Sequence, residues 1–206
     1  MKQNDFTGII PAQYTGNEIE ALAEVELQNE NDAKHFYQIA KERLLNVNNW
    51  HAVAGLVSAT FQLVDAGGNV AGRKCHKGDY LRIDIPGPGS TEGDGYDWVS
   101  VEEVKEVTTE NMQSIGFRVR PSQNPLGTKN ETAHFYGEES TSNFIVTREN
   151  TKISAWIIDR NIKPNVEARS LTDKIRDTSV GISAIGFFSK IQWQNLANGL
   201  IKQEEK

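Results

Sequence analysis

Cysteine is nearly missing from this chain. Cys75 is the one thiol in 206 residues, so no disulfide can form within it. That accords with a reducing compartment, and a cytoplasmic location is expected. Long hydrophobic runs are missing too. The longest apolar stretch, 180–188, is interrupted by Gly181, Ser183 and Gly186 and falls far short of the ~20 residues that span a bilayer. Residues 1–11 hold no apolar signal-peptide core, so no membrane association is expected. Basic charge is scarce: 22 Lys and Arg stand against 28 Asp and Glu, a net charge of −6. Such a field repels phosphate. The one short basic cluster, Arg73, Lys74 and Lys77, lies beside a turn and reads as a solvated hairpin end. Nucleic acid is therefore not an expected partner.

What remains is a folding chain of ordinary composition. Charged residues make up 24%, near the globular average of ~25%, and neither a repeat nor a low-complexity tract appears. Residues 1–17 hold Gly8, Pro11 and Gly16 without periodicity and read as a loosely ordered arm. Residues 18–206 read as a single α+β domain.

Along the chain, residues 19–28 fit either a short helix or a strand over 23–27, because periodicity cannot decide at this length. Phe36, Ile39, Ala40 and Leu44 form one apolar stripe and predict a helix over 33–45, capped by Asn31 or Asp32 and broken by Asn46, Asn48 and Asn49. One further helical turn follows over 50–55. The period then drops to two. Phe61 and Leu63, then Leu81, Ile83 and Ile85, predict strands with one buried face, joined by a turn at 65–69. Further strands are expected over 98–107, around Ile115, Phe117 and Val119, and over 132–136, 143–148 and 152–159. Ser170 with Asp173 is a capping pair. Beyond it Ile182, Ile185, Trp193, Leu196 and Leu200 share a face. Gly181 and Gly186 predict that this long C-terminal helix is kinked, or divided near Gly181.

Helices bracketing a run of mostly antiparallel strands define an α+β fold. That order, from about Ala23 to Lys202, resembles the START-like helix-grip superfamily, also called Bet v 1-like or SRPBCC. The resemblance implies a curved antiparallel sheet wrapped round a long C-terminal helix, often with an apolar cavity between them. The family includes hydrolases and cyclases. An alternative architecture is an SH3-like barrel with flanking helices, suggested by Lys77-Gly-Asp79 and by the strand at Trp98-Val-Ser-Val101.

The motifs do not specify chemistry. Gly87, Gly89, Gly93 and Gly95 follow a strand but lack the spacing and the lysine of a phosphate loop. Glu92, Asp94 and Asp97 beside them would repel phosphate and lack the spacing of an EF-hand. Gly181-Ile-Ser183-Ala-Ile-Gly186 misses the nucleophile-elbow pattern by one position and is better explained by close helix packing. His35, His51, His76 and His134 have no zinc-site spacing. Basic neighbours could activate Cys75, but a bystander thiol is the simpler account. No catalytic residue, cofactor or metal is assigned.

Arg118, His134, Tyr136 and Trp156 are the candidate ligand contacts, should a cavity lie under the sheet. Each is polar or amphipathic and opposite an aliphatic face. The competing account is that Arg118, Arg120 and His134 face water. Trp50, Trp98 and Trp193 read as core. Three functional readings stand, the third, a START-like hydrolase or cyclase, being implied by the resemblance alone. One is a non-catalytic interaction or scaffold domain acting through the loops at 86–97 and 121–130. Another is a protein that binds a small apolar molecule between sheet and C-terminal helix, which calls for a cavity above ~300 Å³.

Overall fold

The computed structural model describes residues 4–55, 59–85, 93–127, 131–165 and 179–203. Seven strands form one antiparallel sheet: β1 (Asn17–Glu26), β2 (Thr60–Val64), β3 (Tyr80–Asp84), β4 (Asp97–Thr108), β5 (Met112–Pro121), β6 (Thr141–Glu149) and β7 (Lys152–Ile162). Their order across the sheet is β1-β7-β6-β5-β4-β3-β2. The first two strands in sequence thus occupy opposite edges. Between them the chain crosses the sheet as helix α1 (Glu30–Leu45), a 3-10 turn at Val47–Asn49 and helix α2 (Trp50–Ala54). Helix α3 (Ser179–Leu200) closes the chain. This is the expected α+β fold, a curved antiparallel sheet with a short helical pair and a long C-terminal helix. The barrel alternative is set aside by the single seven-stranded order.

Several local expectations are corrected. Of the two options for 19–28 the strand holds, as the edge strand Asn17–Glu26 rather than 23–27, because Ala21 can bury against Ile157 while Leu22 pairs with Trp156 on the opposite face. The α1 cap is Asn29, not Asn31 or Asp32: its side-chain oxygen accepts the Asp32 N–H at 3.0 Å and its amide donates to the Asp32 carboxylate at 2.9 Å, a reciprocal cap of the capping-box kind. Residues 132–136 form no strand; only an isolated bridge joins Tyr136 to Pro164. Helix α3 is one element from Ser179 through Gly181 and Gly186 to Leu200, so it is not divided near Gly181. The Ser170 cap lies outside the described residues.

The inner face of the sheet carries the main core. Trp50 of α2 meets Phe61, Phe117 and Phe144 at centroid distances of 5.1, 5.9 and 4.9 Å. Phe144 in turn meets Trp193 of α3 edge-on at 5.2 Å. Helix α3 closes on α2 at Gly199, where a Cβ would stand 1.9 Å from the Val53 carbonyl oxygen; only glycine permits that approach.

Residues 4–16 cover part of the outer face. The Asp5 carboxylate accepts the N–H groups of Thr7, Gly8 and Ile10, which shapes a turn that presents Ile9. Ile9 is fully buried against Ile145, Trp156 and Ile158. Asn161, at φ +56, accepts the Tyr14 and Thr15 N–H groups and donates to the Ala12 carbonyl.

Candidate functional site

The segment 131–137 turns over the end of the sheet. On the outer side Ala133 packs with Val64 and Trp98, and its carbonyl accepts the Trp98 N–H at 2.7 Å. Two residues later the Phe135 N–H donates to the Asp97 carboxyl. His134, Phe135 and Tyr136 then all line a cleft under the sheet. A strand would have alternated them; the irregular backbone turns all three inward.

The floor of the cleft is the buried inner face: Leu81, Val99, Val119 and Phe144. Ala59, Phe61 and Ile83 form one wall, and Ser189, Gln192 and Trp193 of α3 form the other. Half-buried Ile85, Phe135 and Tyr136 make the rim. The cleft holds about 50 Å³, room for a few waters. The described residues therefore do not enclose the cavity of more than ~300 Å³ that an ordinary buried ligand calls for.

Polar groups gather at this end of an otherwise apolar face. The Tyr136 hydroxyl lies 3.3 Å from the Ser189 hydroxyl. Asp159 is 1% exposed and its Oδ2 accepts the Trp193 indole N–H at 2.8 Å. Its Oδ1 is buried without a hydrogen-bond partner among the described residues. Burial pushes the Asp159 carboxyl up to about 7; the Ser142 hydroxyl and the Trp193 indole favour the ionised form but do not offset it. Although the Ser142 hydroxyl stands near enough to act on that charge, it does not meet Oδ1 at hydrogen-bonding geometry. Asp97 is likewise pushed up to about 7 by burial, opposed only by the Phe135 N–H. Burial holds His134 down at about 3, so it is neutral. Tyr136 is raised by burial and then by the nearby Asp159. Perturbed groups beside a cleft mark a candidate site.

The four sequence candidates divide between the two faces. His134 and Tyr136 reach the cleft. Arg118 and Trp156 lie on the outer face. Arg118 donates to Glu102 at 2.7 Å and to the Ile9 carbonyl at 2.7 Å, and the Trp156 indole donates to Glu20 at 2.7 Å. Both serve the docking of the arm and the edge strand. His134 is buried, against the account that places it in water. Asp97, Asp159, Ser189, Gln192 and Trp193 were not singled out as site residues. The two carboxylates carried a signal: each continues an inward alternation, Asp159 after Ala155 and Ile157, and Asp97 before Val99 and Val101.

Other candidates resolve as structural groups. Burial pushes the Cys75 thiol up to about 12, outweighing Arg73, so the thiol is inert. Arg73 forks onto Asp79 at 2.6 and 2.8 Å and Lys74 pairs with Glu42, so two of the three basic groups at that turn are paired. Among the described residues no three His, Cys, Asp or Glu side chains gather as a metal site, and no helix is long and apolar enough to cross a membrane.

These features define a class: an α+β protein whose antiparallel sheet holds a C-terminal helix against its inner face, with a polar-ended cleft between them. No family model and no curated protein matches the sequence. Among solved structures, a hypothetical protein of Helicobacter pylori superposes with a TM-score of 0.51 at 12% identity, over 95% of this chain and 98% of that one. At that identity the likeness concerns the fold alone. Truncated norcoclaurine synthase from Thalictrum flavum aligns over 94% of this chain and 100% of its own, at 10% identity and a TM-score of 0.35. Ara h 8.0201 aligns over 88% and 100%, at 13% identity and a TM-score of 0.34. Those last two fits are too loose to argue from.

Proposed function

We propose that this protein binds a small, largely apolar molecule, one end of which enters the cleft between sheet and α3. The observation that carries the reading is Asp159: a fully buried carboxyl with one unpartnered oxygen, set just behind the cleft-lining Ser142, Tyr136 and Trp193. An apolar core has no need of such a group, and leaving it unpaired costs about 1–3 kcal/mol. Polar groups converging on an apolar cleft are the usual form of a small-molecule site. A volume of about 50 Å³ admits only a terminal group, so the rest of the ligand lies at the rim beside Ile85, Phe135 and Tyr136.

Interaction through the loops draws less support. The described parts of those loops bond to each other, with the Asn124 amide donating to Asp94 at 3.0 Å.

Native mass spectrometry of the full chain purified from its own source tests the proposal. A bound small molecule is expected on the wild type. It should be absent from Ala59→Leu, which fills the cleft at a wall residue that is 1% exposed. A wild-type chain that carries no added mass, and whose unfolding temperature no small apolar compound raises, overturns it.

A further inference from the structure

Two hydrogen-bond donors on the cleft wall have no acceptor among the described residues. His134 is 6% exposed, and its Nδ1 accepts the Tyr136 N–H at 2.9 Å. A neutral imidazole that accepts at Nδ1 carries its proton on Nε2, and among the described residues that N–H has no partner. Gln192 is also 6% exposed. Its Oε1 accepts the Ala59 N–H at 3.2 Å, which fixes the orientation of the amide, and its NH2 group has no partner among the described residues. Both side chains line the cleft. Convergent polar groups on the wall of an apolar cleft are what orient a ligand, so these two mark where a ligand's acceptor belongs.

The sign of the site is as informative. A carboxylate ligand would bring negative charge towards Asp159, which already acts on Tyr136 at the rim. An ammonium would place a donor against donors at His134 and Gln192. Resting on the reading of the cleft as a ligand site, we infer that it takes a neutral molecule whose carbonyl oxygen accepts from His134 Nε2–H and the Gln192 amide. Polar wall groups left unpaired by an analogue lacking the oxygen make such sites discriminating.

The test uses the full chain and four probes of similar size: cyclopentanone, methylenecyclopentane, cyclopentanecarboxylate and cyclopentylamine. Binding is followed by NMR at the His134 ring and Gln192 side-chain N–H signals. Cyclopentanone is expected to bind at least tenfold more tightly than the other three, and to shift both signals. His134→Phe keeps a ring and removes the donor; it should abolish the ketone's advantage over methylenecyclopentane. Equal binding of ketone and hydrocarbon to the wild type overturns the carbonyl assignment while leaving the cleft as an apolar site. Tighter binding of the amine or the acid overturns it as well. Failure of all four to bind overturns the reading of the cleft itself. The wild-type probe comparison stands whether or not the variant folds.

Discussion

On the inner face of the sheet, Trp50, Phe61, Phe117, Phe144 and Trp193 meet ring to ring. On the outer face, Ile9, Ile145, Trp156 and Ile158 form a small cluster bordered by Arg118, Glu102 and Arg120. The inner core buries contiguous aromatic area, and its stability is spread over many contacts. The outer cluster depends on whether the arm stays docked, and that depends on a few named hydrogen bonds. A cleft with unsatisfied polar groups is tolerated only beside the first kind of surface, where packing carries most of the stability. Adjacent residues on β5 let the two faces be compared directly.

The largest effect is expected inside. Phe117 is fully buried and stacks on Phe144 at 5.0 Å and on Trp50 at 5.9 Å. Phe117→Ala should destabilise the protein by about 3–5 kcal/mol, read from urea unfolding. A loss below about 1 kcal/mol would erase the contrast between the faces. Next comes the arm. Asn161→Gly keeps the positive-φ backbone cheap but removes the side chain that holds residues 12, 14 and 15. It should cost about 2 kcal/mol and speed amide exchange at Ile10 and Tyr14, while the Phe144 amide exchanges as before. If exchange rises equally on both faces, the arm is part of the main cooperative unit. Smaller still is Gly116→Ala. Its Cβ would stand 2.6 Å from Ile9 Cδ1 and 3.0 Å from Ile145 Cγ1. The Ile9 tip can swing away, while the Phe144 carbonyl oxygen at 3.1 Å must give by a few tenths of an ångström, so roughly 1 kcal/mol is expected, with the change in NMR shifts centred on the arm and the neighbouring part of β6.

The inner face was also the more legible in the amino-acid sequence. Period-two alternation at Phe61 and Leu63, at Leu81 and Ile83, and at Ile115, Phe117 and Val119 gave the strands, because a one-sided core imposes that pattern. The outer face hid from the same reasoning. A second apolar layer of four residues contributes no separate period, and Arg118 and Trp156 alternate as solvent-facing residues do. Only the fold shows that an arm covers them. The site was half legible. His134 and Tyr136 were singled out for their chemistry, though on a strand that does not exist: 132–136 is held by Trp98, Asp97 and Asn165, contacts distant in sequence. Gln192 and Ser189 take their places from α3 packing on the sheet, which no local pattern encodes.

The subtlest expected effect concerns pH, and it too separates the faces, since the strongly perturbed acids are on the inner one. In the folded state Asp97 and Asp159 titrate at about 7; unfolded, they titrate near the usual ~3.9. Their contribution to stability is therefore complete below about pH 4 and lost as pH rises through about 7. His134 acts oppositely. Its folded value of about 3 lies below the unfolded ~6.5, so its contribution is present above that pH and lost as pH falls. Between about pH 5.5 and 6.5 the folded state holds two carboxyl protons that the unfolded chain lacks, and lacks one imidazole proton that the unfolded chain holds. Folding then takes up a net proton, and stability falls as pH rises. Above that interval the opposition from His134 fades while the carboxyls themselves lose their protons through about 7, so the fall continues at about the same slope and then levels off. Glu102 and Asp79, each held low by arginine partners, titrate below this window and do not blur it. The urea midpoint should therefore drop between about pH 5.5 and 7.5. Asp159→Asn should flatten the lower part of that curve, where one remaining carboxyl balances His134, and leave a shallower fall above it from Asp97. An unchanged curve in Asp159→Asn would mean that the buried carboxyl has already found a partner, and the vacancy behind the cleft would lose its meaning.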